Sequence, residues 1–402
     1  MFATSVALSN LRACVILVVL AFHSVLAYLG SNPADPIPFD KPPYGWLVFP
    51  IVDNRRWFGF DLFCALQNVY LMSFMFFLSG LFVWPSLARR EPGTFLWRRF
   101  VRLGVPAALA VLVLMPMTYY ATYRVTAVDP SVVAFARHWF GLPFWPGGPI
   151  WFVWQLLALN IAAVVLLRGL PRSVDFLSRL SSSAAAQPGR YCCGLTMASA
   201  LAYIPLALTF DPWRWVQYGP FAIQLSRPLH YAVYFFAGIG VGAYGLERGL
   251  LAADGMLARR WGVWLVGALA AFLLWMAMTA LTLQEERATQ LGVQVAADLS
   301  FVLSCATGSL AFAAVFLRFA TRRWRIVDEI SDRAYGMYLV HYIFVVWLQY
   351  ALLDSDLFAP AKAAIVFVAT ALLSWGTTAA VCRIPLGSRL IGAERPMLVR
   401  AP

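Results

Sequence analysis

The sequence predicts an all-α polytopic membrane protein of about ten transmembrane helices with both termini cytoplasmic, and three observations predict it. The first is composition: of 402 residues, 61% are hydrophobic and 12% charged, with a mean hydropathy of +0.71, too apolar for a chain that dissolves in water. The second is the recurrence of apolar runs of about 20 residues, each long enough to cross a bilayer core, with no polar block between them large enough to fold alone. A single membrane domain over residues 1–402 is therefore expected. The third is the placement of basic residues. With ten spans, the even connections and the C-terminal tail hold 21 arginines and the odd connections only eight basic residues, which puts the even side in the cytoplasm by the positive-inside rule. The same alternation accounts for the formal charge of +12 and removes nucleic-acid binding as its explanation.

The expected spans run in order. The first, 11–30, has an apolar stretch from Cys14 to Leu20 and small residues from Ser24 to Ala27 that mimic a cleavable leader, but His23 inside the span argues for a permanent helix. An outer connection, 31–66, follows, rich in Pro, Gly and aromatics including Trp46 and Trp57. Spans at 67–84 and 103–121 flank the basic run of Arg98, Arg99 and Arg102. A second outer connection, 122–148, carries Trp139 and Trp145, and an interfacial aromatic belt is the expected role of such tryptophans. The span 149–167 opens on GPIWF. Leu180–Gly189 (LSSSAAAQPG) reads as a low-complexity internal linker. Spans at 193–210, 229–246, 261–283, 297–317, 334–353 and 361–382 complete the chain. His138 and His230 fall at outer helix ends and read as interfacial. The six cysteines have neither a disulfide framework nor metal-ligand spacing, so no metal and no permanently bound cofactor is expected. No internal repeat is visible, which disfavours a transporter built from duplicated halves.

Ionisable residues inside spans are expensive and are functional suspects for that reason. Arg12 and His23 lie eleven positions apart on the first helix, about 1100° or some 20° beyond three turns, so they share a face, with the imidazole roughly 16 Å deeper. An anion-binding group thus stands at the inner surface and a titratable base near the midplane. His341 enters from another helix that starts inside and reaches a similar depth.

The order of short motifs resembles the integral-membrane acyltransferase family 3, in a branch similar to the succinyltransferases of osmoregulated periplasmic glucans. The residues that carry the resemblance are Arg12 and His23 in LRACVILVVLAFH, FFLSG at Phe76–Gly80, FLWRRFVRLGVP, GPIWF at Gly148–Phe152, and SDRAYGMYLVH at Ser331–His341. The resemblance implies an acyl-CoA donor used from the cytoplasm as co-substrate and a carbohydrate hydroxyl as acceptor outside, with His23 as the catalytic base and Arg12 orienting the donor. Arg98, Arg99 and Arg102 then suit the phosphates of coenzyme A. Tyr335, Tyr338, Trp151 and Arg56 are candidates for substrate contact, and His341 for polarising the thioester or holding the acceptor. The larger branch carries a glutamate shortly after the tryptophan of GPIWF; here the chain reads WFVWQLLALN, with Gln155 instead. MSFMFFLSG likewise lacks an acid ahead of its paired phenylalanines, so no carboxylate partner for His23 is apparent. A saccharide transporter or flippase is the rival reading, a bacterial inner membrane the expected location, and a homodimer stays open.

Overall fold

The computed structural model describes residues 3–170, 172–284, 290–384 and 387. Its helices are α1 (Ala3–Val25), α2 (Phe58–Gly80), α3 (Pro92–Thr126), α4 (Val132–Gly141), α5 (Trp151–Gly169), α6 (Arg172–Ala184), α7 (Pro188–Phe210), α8 (Pro228–Tyr244), α9 (Trp261–Thr282), α10 (Leu291–Phe319), α11 (Arg325–Ala351) and α12 (Ala359–Arg383). The only sheet among the described residues is the antiparallel hairpin of β1 (Trp215–Tyr218) and β2 (Phe221–Gln224), with Trp215 opposite Gln224. Arg287, Arg389, Arg395 and Arg400, which enter the charge asymmetry, lie outside the described residues.

Each of the ten expected spans is largely helical, and among the described residues eight helices are long and apolar enough to cross a membrane. The other two fall short for different reasons. α8 has only 17 residues, the lower end of what spans a bilayer. α11 opens on Arg325, Asp328, Glu329, Asp332 and Arg333, and its apolar remainder carries His341, Gln349 and four tyrosines. Several helices extend past their expected ends, α2 beginning at Phe58 rather than 67, because an interfacial helical turn need not be apolar.

α3 is not uniformly α-helical. Phe100–Gly104 and Ala110–Leu114 are π-helical, each followed by a helical segment with proline near its start, Pro106 and Pro116. Proline removes an N–H from the regular ladder, and a wider turn is a common accommodation near functional sites.

α2 and α8 meet backbone to backbone. A Cβ on Gly238 would stand 2.0 Å from Phe77 O, on Gly242 2.0 Å from Leu81 O, and on Gly80 2.1 Å from Phe235 O. This is the close approach that small residues permit between helices in lipid, and it accounts for the glycine of FFLSG.

One sequence expectation is narrowed here and another corrected. Of Leu180–Gly189, helix α6 takes in the residues through Ala184, with Ser181 buried, and only 185–187 separate it from α7. Small side chains let α6 lie against α8, where a Cβ on Gly240 would meet Leu177 O at 2.7 Å and Ser181 Oγ at 2.8 Å. Trp46 and Trp139 do not form a belt. Both are buried; Trp46 stacks on Phe39 at 4.4 Å and donates its indole N–H to Phe39 O at 3.0 Å. Trp57 is half-exposed, as an interfacial residue would be.

Candidate active site

α1 carries Arg12 and His23, and α11 lies along it. α11 brings His341 to the level of His23: His341 Nε2 is 3.3 Å from His23 Nδ1, with ring centroids 4.9 Å apart. The surrounding carbonyls fix the protons. His341 Nδ1 lies 2.6 Å from Tyr338 O, a group that only accepts, so Nδ1 bears the hydrogen and Nε2 a lone pair. His23 Nδ1 faces Val19 O at 2.8 Å as well as that lone pair. It therefore bears the hydrogen, and His23 Nε2 is the bare, basic nitrogen. His341 is fully buried, whereas His23 keeps part of its surface open.

The helix end that presents His23 is held from several sides. α1 stops at Val25, leaving its last carbonyls without helical partners. Gln349 of α11 donates Nε2–H to His23 O at 3.0 Å and Ser24 O at 3.2 Å. Asn32 Nδ2 reaches Leu26 O at 2.8 Å, and the backbone N–H groups of Asp53 and Trp57 reach Ala27 O at 3.0 Å and Tyr28 O at 2.9 Å. Asp53 is in turn bound to Lys362 of α12 at 2.8 Å, both side chains wholly buried. Nothing in the sequence singles out Gln349 or Lys362; only the crossing of α1, α11 and α12 gives them partners.

The remaining candidates separate by location. Arg12 is exposed near the middle of α1, three turns before His23, 6.0 Å over the ring of Phe82, with Arg102 and Asp332 as its charged neighbours. Arg102 and Arg12 thus combine their fields at this level of the helix. Arg99 lies 5.2 Å over Phe95, and Arg98 is exposed on the same turn of α3. Tyr335 donates to Leu103 O at 3.4 Å. Tyr338 donates its hydroxyl to Pro149 O, tying GPIWF to the segment that holds His341, so its oxygen braces the site. Trp151 packs at 5.3 Å from Trp215 and 6.2 Å from Tyr231.

Arg56 braces the outer loop: its guanidinium donates to Asn32 O at 2.7 Å, Asp53 O at 3.2 Å, Ala34 O at 3.2 Å and Pro33 O. His230 corrects an expectation: it is fully buried, with Nε2 2.8 Å from Ser73 Oγ and Nδ1 2.5 Å from Ser199 Oγ. Both of its nitrogens are engaged, so it ties α2, α7 and α8 together and has no lone pair to spare. Among the described residues no cluster of His, Cys, Asp and Glu suits a metal ion.

Comparison with known proteins adds one finding. The family model described as "Acyltransferase domain" matches residues 5–379. No curated protein and no solved structure matches the chain.

Proposed function

The chain belongs to the acyltransferase family 3, and from that premise we propose a membrane O-acyltransferase that moves an acyl group from cytoplasmic acyl-CoA to a hydroxyl of an extracytoplasmic carbohydrate, such as a periplasmic glucan or a surface polysaccharide. The observation that carries this reading is the contact of His341 Nε2 with His23 Nδ1. It leaves His23 Nε2 as a lone pair on an imidazole whose orientation is fixed, the state a general base requires.

In this reaction His23 Nε2 takes the proton of the acceptor hydroxyl as its oxygen attacks the thioester carbonyl. The tetrahedral adduct then expels the thiolate of coenzyme A, which receives that proton from the imidazolium; the products are an ester and a free thiol. As positive charge develops on His23, its Nδ1–H bond to His341 strengthens, the role that a carboxylate plays in triads of the serine-hydrolase kind. Arg12, with Arg102 beside it, suits the phosphates of the donor, and Arg98 and Arg99 extend the same basic surface. The proposed location is a bacterial inner membrane, with Arg12 toward the cytoplasmic side by the positive-inside rule.

Membranes given radiolabelled acyl-CoA test the reading. Wild type is expected to label extracytoplasmic glycan, and His23→Ala to lower the rate by about 10²–10⁴-fold. Equal labelling by the two proteins removes His23 from the chemistry.

A further inference from the structure

An open cavity of about 410 Å³ lies between the outer connection that follows α1 and helix α4, lined by Phe39, Asp40, Tyr44, Arg137 and His138 among others. It stands on the far side of the histidine pair from Arg12, since α1 runs from Arg12 through His23 into this connection. Its volume falls among small-molecule sites, roughly 300–1,000 Å³. The lining offers a carboxylate that accepts, a guanidinium and an imidazole that donate, and a half-buried tyrosine ring. Asp40 offsets Arg137, so the charge pattern suits a ligand rich in hydroxyls better than a phosphate.

The cavity floor continues inward as a packed aromatic column. Phe39 stacks on Trp46 at 4.4 Å, Trp46 meets Tyr119 at 5.1 Å, Tyr119 meets Tyr342 at 6.1 Å, and Tyr342 meets His23 at 5.4 Å. Tyr119, wholly buried, stands at the middle of this column. The column joins the cavity to the catalytic base mechanically, yet four ring-to-ring steps separate them. One small sugar cannot occupy both places.

We propose that this cavity is a saccharide subsite that holds a residue of the acceptor remote from the hydroxyl being acylated. The acceptor is accordingly an extended glycan and not a monosaccharide. This rests on the acyltransferase reading above and names its acceptor class.

The test uses the full chain in nanodiscs, with a linear gluco-oligosaccharide and, separately, glucose and inorganic phosphate as probes. Trp46 and Trp139 lie under the cavity, so binding is read from their fluorescence. Wild type should give a saturable response to the oligosaccharide, with glucose at least about tenfold weaker; the double substitution Asp40→Asn, Arg137→Ala should weaken the oligosaccharide response by about tenfold or more. Arg137→Lys, which keeps charge and a donor, should largely restore it and so separates lost recognition from misfolding. His23→Ala should bind the oligosaccharide like wild type while failing to transfer. The subsite is overturned by an equal response in wild type and the double variant, by no saturable response in wild type, or by saturation with phosphate instead of the oligosaccharide. Saturable binding by a wild-type protein that transfers no acyl group would instead sink the acyltransferase reading and leave the subsite standing.

Discussion

At the scale of single residues, the candidate base works only if its second nitrogen is kept in place, and that makes His341 and Gln349 separable in experiment. His341→Phe keeps the volume of a ring but removes the acceptor facing His23 Nδ1. The turnover number should fall by on the order of 10²-fold or more with little change in donor KM, the signature of an orienting group lost from the transition state. Gln349→Leu leaves the carbonyls of His23 and Ser24 buried without their donor. That should destabilise the protein by about 1–3 kcal/mol, read as an earlier melting transition in detergent, and lower turnover through a displaced imidazole. Wild-type turnover in Gln349→Leu would remove the glutamine from the positioning of the base. Arg12 and His23 were legible because eleven positions on one helix fix their common face. His341 was legible as a buried histidine at the right depth, but its partner was not, because pairing between α1 and α11 depends on rotations that spacing within either helix does not encode.

At the scale of elements, the two tight contacts give predictions of opposite character. Gly238→Ala would ordinarily help a helix by up to about 1 kcal/mol, yet its methyl would stand 2.0 Å from Phe77 O. Overpacking of about 1–3 kcal/mol wins, and the folded fraction recovered in detergent should drop. The pair Lys362–Asp53, wholly buried, behaves differently. Lys362→Met strands a carboxylate and should destabilise by about 3–5 kcal/mol, whereas Lys362→Met with Asp53→Asn removes both charges and should recover most of that loss. A thermal-melting series over wild type, Lys362→Met, Asp53→Asn and the double variant checks it; additive losses would show that the two side chains are not coupled. The ten helices were readable from hydropathy, because lipid forces every span to satisfy its own backbone. α6 was not, since its Ser and Ala residues look like a linker until Gly240 of α8 is seen to need small neighbours. The π-helical turns of α3 were equally invisible, as prolines announce an interruption without stating its form.

At the scale of the whole molecule, the polar groups follow one another along α1 and into the connection after it. Arg12, with Arg102 beside it, stands near the middle of α1, the histidine pair lies at its last turn, and the cavity of Asp40 and Arg137 lies beyond that end. The sequence showed the inner two of these levels. The outer one depends on loop 31–57 folding over α4, with Trp46 and Trp139 turned inward, and no periodic signal marks such a loop. The seam of Gly80, Gly238 and Gly242 bears on how the molecule can breathe. With carbonyl oxygens seated on bare α-carbons, α2 and α8 are riveted; neither can slide or roll without prising the other away. A rearrangement of the bundle must therefore carry these two helices together as one unit.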